Sequence, residues 1–210
     1  MYIRVLVASG GLLGSLVGCT GAEASISIGE IRNLAVDAGE HPNECPLDVN
    51  VEAVADAAGV DVSDVALTNA AAFTAESTVP PADPLTAQTE DGLSPLEVAA
   101  GTDIDCDFQV GDGQLYVELG TSVNHEFHAS GLFVSRLQAA DDLSLDQISE
   151  VLVELGEPGS VETVPNGGAV LTSLHTDDDI GSAALWVESD TILGDDLRSV
   201  AETLAGDLDS

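Results

Sequence analysis

From residue 103 to residue 110 the chain alternates without a break: Asp103, Ile104, Asp105, Cys106, Asp107, Phe108, Gln109, Val110. Successive side chains of a strand point to opposite faces. A strand here therefore buries Ile104, Cys106, Phe108 and Val110 and turns the three aspartates the other way. Gly111, Asp112 and Gly113 then turn the chain, and Leu115, Val117 and Leu119 face inward on the return. This hairpin is the clearest β signal in the sequence.

The helix signals lie on either side of it. Asn50 caps a helix over residues 51–58 that puts Val51, Val54, Ala55 and Ala58 on one face, with Gly59 as its stop. Ser94-Pro95-Leu96-Glu97 opens a short helix as a capping box with Pro at the first helical position, and Gly101 ends it. Ser144 opens another, with Ile148, Val151, Leu152 and Leu155 as its stripe. Asp195 or Asp196 caps the last, with Leu197, Val200, Leu204 and Leu208 on one face. Strands are expected at residues 131–138, 168–175 and 182–188, the last two joined by the acidic turn 176–181. Residues 26–36 read as a short strand or helix, residues 60–65 as a strand or turn, and residues 74–92 as a surface loop. The order helix, hairpin, helix, hairpin, helix predicts an α+β fold. The expected form is an antiparallel sheet of two hairpins with helices packed on one face, in two related halves.

The beginning of the chain carries an address. Arg4 precedes an uncharged run from residue 5 to residue 18, shorter than the roughly 20 apolar residues a membrane span needs. A basic start, a short apolar run and small residues form a secretory signal. Leu16-Val17-Gly18-Cys19 resembles the lipobox of prokaryotic lipoproteins. The resemblance implies that Cys19 is lipidated, that the signal is removed just before it, and that the protein sits on the extracytoplasmic face of the cell membrane. Two or more acyl chains on one residue hold a protein stably, where one gives marginal binding. The expected organisation is a signal peptide over residues 1–18, a lipidated tether over 19–43, and one acidic α+β domain over 44–210.

With Cys19 carrying lipid, Cys45 and Cys106 remain, and an exported chain reads most simply as joining them in a disulfide. Two free buried thiols are the alternative. The layout also resembles small lipoproteins of unknown function from actinobacterial envelopes. In those a Cys before an early helix pairs with a Cys on a central strand, and a Gly-Gly-Ala strand precedes the last hairpin. Cys45, Cys106 and Gly167-Gly168-Ala169-Val170 occupy those places. The resemblance brings no catalytic residues with it.

The chain has 38 acidic residues against 4 Lys+Arg, a formal net charge of -34. Binding a polyanion rests on Lys and Arg neutralising phosphates, so nucleic acid is excluded as a partner. Docking by charge onto anionic lipid is excluded for the same reason. The acidity reads as a solvated surface that keeps a tethered protein soluble. It also looks like the composition of halophilic proteins, although a GC-rich genome would deplete lysine too. Aromatics are only 3% of the chain, so the core has to be built from Val, Leu, Ile and Ala.

A search for chemistry leaves little. Asp103, Asp105 and Asp107 have the spacing that starts a calcium loop, but Phe108 and Gln114 stand where that loop needs Gly and Glu. The alternation favours a strand. His125 and His128 flank Glu126 without an assigned third metal ligand. Asp177-Asp178-Asp179 reads as an acidic hairpin turn, and Trp186 as core. There is no G-x-S-x-G, P-loop or dinucleotide-binding pattern. The expectation is therefore a non-enzymatic, membrane-anchored lipoprotein without metal or cofactor, binding a partner protein or a small ligand at the cell envelope. The alternatives are an extracytoplasmic hydrolase whose catalytic carboxylates cannot be picked from 38, and a structural factor that covers surface.

Overall fold

In the computed structural model, residues 25–38, 44–141, 143–177 and 181–208 are described. The proposed signal, the lipobox and Cys19 lie outside them, as do Asp178 and Asp179 of the acidic turn. Among the described residues, six strands form one sheet. They are β1 (Val65–Thr74), β2 (Thr102–Val110), β3 (Gly113–Ser122), β4 (Val161–Thr163), β5 (Ala169–Leu174) and β6 (Ser182–Ser189). The spatial order is β1-β2-β3-β6-β5-β4 with every pairing antiparallel. With the helices, this is the expected α+β class.

The two expected hairpins, β2-β3 and β5-β6, form the centre of the sheet, where β3 meets β6. On each side a further strand extends the hairpin to a three-stranded meander. β1 is the longer of these two edges, and its sequence, VALTNAAAFT, hid it: small or apolar residues on both faces leave no alternation to read.

Seven helices are present among the described residues: α1 (Ile28–Ala38), α2 (Val51–Ala58), α3 (Pro84–Thr89), α4 (Pro95–Ala99), α5 (Val134–Asp141), α6 (Leu145–Glu154) and α7 (Asp195–Leu208). They cover both faces of the sheet instead of the one expected. On the first face, Ile104, Cys106, Val117, Leu119, Leu185 and Val187 form a core with Ile31 of α1, Val54 of α2 and Val200 of α7. On the second, Leu171, Ala184 and Trp186 pack under Phe133, Leu137 of α5 and Ile148 of α6. The reason is visible in β5, whose six residues are all buried. A strand apolar on both sides needs a layer against each.

The strand expected at residues 131–138 is instead a 3-10 turn, Ala129–Phe133, running into α5. Phe133 and Leu137 are four residues apart and both fully buried, which is helical spacing. Phe133 stacks on Trp186 with ring centroids 6.0 Å apart. Of the capping residues read from sequence, Asn50, Ser94 and Ser144 do their expected work. Asn50 accepts from the amide of Ala53, and Ser94 and Ser144 each complete a capping box. Asp195 and Asp196, expected to cap the last helix, are instead residues of it, inside the first turn of α7. The expected loop 74–92 contains α3, capped by Asp83.

The folded region begins earlier than residue 44. Ile26 forms a parallel bridge with Thr176, and Ile28, Ile31 and Ala35 of α1 are buried in the core. Any tether is therefore shorter than the expected 19–43. Cys45 and Cys106 are joined, with Cα atoms 5.7 Å apart, which ties the start of α2 to the sheet.

Candidate functional site

The second core takes no residue from β1 or β2. Over β2 and β3 the same face carries ionisable groups, and it is here that they converge. The β2-β3 register sets Asp105 opposite Glu118 and Asp107 opposite Tyr116. Across the other ladder, Ala71 faces Asp105 and the exposed Phe73 faces Asp103. Carboxylate oxygens of Asp103, Asp105 and Glu118 all lie within 4.8 Å of one another.

One cation serves the group. The Arg136 Nε on α5 pairs with Glu118 Oε2, its Nη2 donates to the Tyr116 hydroxyl, and its Cζ stands 4.1 Å over the Tyr116 ring. Tyr116 donates in turn to carboxylate oxygens, 2.8 Å from Asp105 Oδ1 and 3.0 Å from Glu118 Oε2. Glu118 is buried, at 5% exposure, and is the side chain most dependent on this pairing. An uncompensated buried carboxylate costs several kcal/mol, about 3–5 when a partner is removed.

Burial is the first cause of the unusual ionisation here. It raises the carboxyls of Asp103, Asp105 and Glu118, while Arg136 works against it at all three. Asp103 is pushed furthest, to about 8, by burial and then by the charges of Glu118 and Asp105. As a carboxylate its buried Oδ1 would face no donor. As an acid it donates to Glu118, and that hydrogen bond helps to keep Glu118 ionised. Tyr116 is held neutral, first by burial and then by Glu118. Asp103 is thus the carboxyl of the cluster held most strongly as the acid, while Arg136 opposes the rise at all three.

An open cleft of about 420 Å³ reaches part of it, lined by the apolar Leu96 of α4 and Leu132 and by Asp103, Glu118 and Arg136. Three carboxylate oxygens and a phenol can accept from or coordinate a cation. A second cavity of about 270 Å³ lies beside α1 and contains Arg32, whose guanidinium donates to the carbonyl of Ala75 at 2.7 Å. It has a single ionisable group and no comparable convergence.

The residues singled out in the sequence separate at this point. Asp103 and Asp105 come together, as strand residues and not as a calcium loop. Asp107 accepts from the Asn69 side chain at 3.1 Å. His125 lies 3.9 Å from Glu126. His128 caps the 3-10 turn with its Nδ1 2.9 Å from Ser130 Oγ, and burial lowers its pKa. The two histidines do not form a shared site. Trp186 is core, its Nε1 donating to Glu188 at 3.1 Å. Glu118, Tyr116 and Arg136 were not anticipated. The first two could have been found by carrying the alternation of residues 103–110 across the turn. Among the described residues no helix is long and apolar enough to cross a membrane. No family model, curated protein or solved structure matches this chain.

Proposed function

We propose that the protein is a lipid-anchored lipoprotein of the extracytoplasmic face of the cell membrane, tethered through Cys19, which binds a small cationic ligand in the Asp103–Glu118–Arg136 cleft and catalyses no reaction. The anchor rests on the lipobox, and the Cys45–Cys106 disulfide agrees with an oxidising compartment. The binding reading is carried by one observation: oxygens of three carboxyls lie within 4.8 Å of one another, two of them, Asp103 and Glu118, line an open cleft, and the one guanidinium lining it is paired with Glu118. An incoming cation displaces the proton of Asp103 and supplies the positive charge that the cluster lacks. Arg136 disfavours a bare divalent ion so close by, whereas an ammonium presents three donors to these acceptors. Leu96 and Leu132 suit an apolar stem behind such a head, and Phe73 stands beside Asp103 as an aromatic face for it.

Calorimetric titration of the lipoprotein with alkyl amines, a diamine and calcium tests this reading. Saturable amine binding that releases a proton near pH 7 and disappears in Asp103→Asn/Asp105→Asn supports it. No saturable binding of any of the probes, or binding that the double variant retains, refutes it. For the anchor, Cys19→Ser should leave the membrane fraction and lose acyl labelling. A second reading, an extracytoplasmic hydrolase, draws on the same strongly raised acid beside carboxyls raised less, since pKa values pushed apart define an acid–base pair. Glu118 is already engaged by Arg136 and Tyr116, which disfavours it as the base.

A further inference from the structure

The two edges of the sheet differ in a way that bears on assembly. β4, at one edge, has three residues and includes Glu162. β1, at the other, has ten residues and contains no Asp, Glu, Lys, Arg or Pro, in a chain where charged residues make up 20%. Natural sheets blunt their edges with short strands, charges, prolines or bulges, because an edge presents a row of unpaired N–H and C=O groups. β1 uses just one of these devices, a register irregularity between Leu67 and Asn69. Among the described residues its backbone makes no ladder except that with β2. Ala66, Thr68, Asn69 and Phe73 are exposed along it.

We infer that β1 is the docking edge for a second copy of this chain, the two β1 strands pairing antiparallel about a two-fold axis to make one continuous sheet. Unpaired backbone groups along an edge call for an extended strand as the occupant. Charge selects which strand. Two chains of net charge -34 can approach only through an uncharged surface, and β1 is such a surface. In the joined sheet the nearest aspartate rows, both on β2, are three strand spacings apart, about 14 Å. That exceeds the screening length of about 10 Å at 0.1 M salt, so association strengthens as salt is added. A two-fold axis perpendicular to the sheet also keeps α1 of both copies on the same face. Residue 25, where the described chain begins, then lies at the same height relative to the sheet in both copies, which is compatible with two anchors in one membrane. A lone strand pair is a small interface, and confinement to a membrane raises the effective concentration that it works against. The inference is independent of the cation reading.

The test is light scattering of the purified full-length lipoprotein in detergent at low and at molar NaCl, together with amide hydrogen exchange over residues 65–74. The protein mass per particle should double with salt, and amides of β1 should gain protection as it does. Ala66→Glu/Thr68→Glu, which places like charges on both sides of the junction, should hold the single-chain mass at every salt concentration. Thr163→Glu on the β4 edge should still double. Single-chain mass of the unmodified protein throughout, or doubling retained by the β1 variant, overturns the inference. So does full β1 protection in the single-chain state, which would mean that another part of the same chain covers the edge. The exchange measurement needs no substitution, so a variant that fails to fold does not remove the test.

Discussion

Replacing Asp103 by Asn should abolish a pH dependence of stability that this fold carries. The Asp103 carboxyl titrates at about 8 in the folded chain, against an ordinary value of 3.8, because it is buried and faces Glu118 and Asp105, with Arg136 only partly offsetting them. Below the ordinary value the acid is protonated in both states and contributes no pH dependence. Between the two values the folded chain keeps a proton that the unfolded chain has released. Its stability therefore falls as pH rises, by roughly 1.4 kcal/mol per pH unit for one proton, and levels off once the folded carboxyl ionises. From about pH 5 to about pH 7 the loss from this residue is about 3 kcal/mol. Asparagine matches aspartic acid in shape, cannot ionise, and can donate to Glu118 as the acid does. Urea unfolding of both proteins at several pH values, with unchanged m, is the assay. The difference in stability between variant and parent should grow steadily in the variant's favour across that window. Parallel pH profiles would refute the reasoning, because they would mean that Asp103 is already ionised in the folded chain.

Other perturbations have equally definite outcomes. Cys45→Ala/Cys106→Ala opens a loop with a sequence separation of 61; the chain-entropy model puts the loss at about 4 kcal/mol, to be read by denaturant unfolding of the purified variant. A loss under about 1 kcal/mol would mean that the fold does not depend on the staple. Arg136→Met keeps an apolar stem while removing the cation from Glu118 and Tyr116, and should cost about 3 kcal/mol at neutral pH. The cost should shrink as pH falls and Glu118, its carboxyl raised by burial, takes up a proton, so a loss that does not change with pH would argue against the network. In Gly101→Ala the new Cβ would lie 1.8 Å from the backbone oxygen of Thr121, which should destabilise by about 3 kcal/mol as overpacking against a ladder that cannot move aside. Gly206→Ala, in α7 with nothing within 4 Å, should instead stabilise by up to about 1 kcal/mol. Thermal melts of the two glycine variants should therefore move in opposite directions.

What could be read in the sequence follows from how local each signal is. The β2-β3 hairpin was legible because one face is apolar and the other acidic, and the same alternation placed Cys106 on the buried side, where it meets Cys45. α2, α4 and α6 were legible from their caps, which satisfy backbone groups within a few residues. β1 was not, since Ala66, Ala70, Ala71 and Ala72 give both of its faces the same character. α5 was not, since Gly131 and Ser135 interrupt the apolar run there and resemble the edge of a strand. Only the spacing of Phe133 and Leu137 argued for a helix there.

Of the candidate site, Asp103 and Asp105 were legible, Glu118 and Tyr116 lay on the return strand of the same hairpin, and the part that no pattern announced is a cation. In a chain with 38 acids any three aspartates look like solvated surface. With so few arginines, what each one contacts separates a site from that background. Arg198 pairs with Glu202 one turn along α7, an exposed contact that needs no further explanation. Arg32 donates to the carbonyl of Ala75 and ties α1 to the end of β1. Arg198 also acts on Glu162 across the fold, but Arg136 is set among three carboxyls, which sequence separates from it by up to 33 residues. Its position depends on α5 lying beside β3, a tertiary fact with no periodicity to announce it. A buried Glu118 is tolerable only if that guanidinium reaches it, and a guanidinium shared among three carboxylates leaves charge for a ligand to complete. The acidic row on β2 alone would be surface; the placement of Arg136 makes it a site.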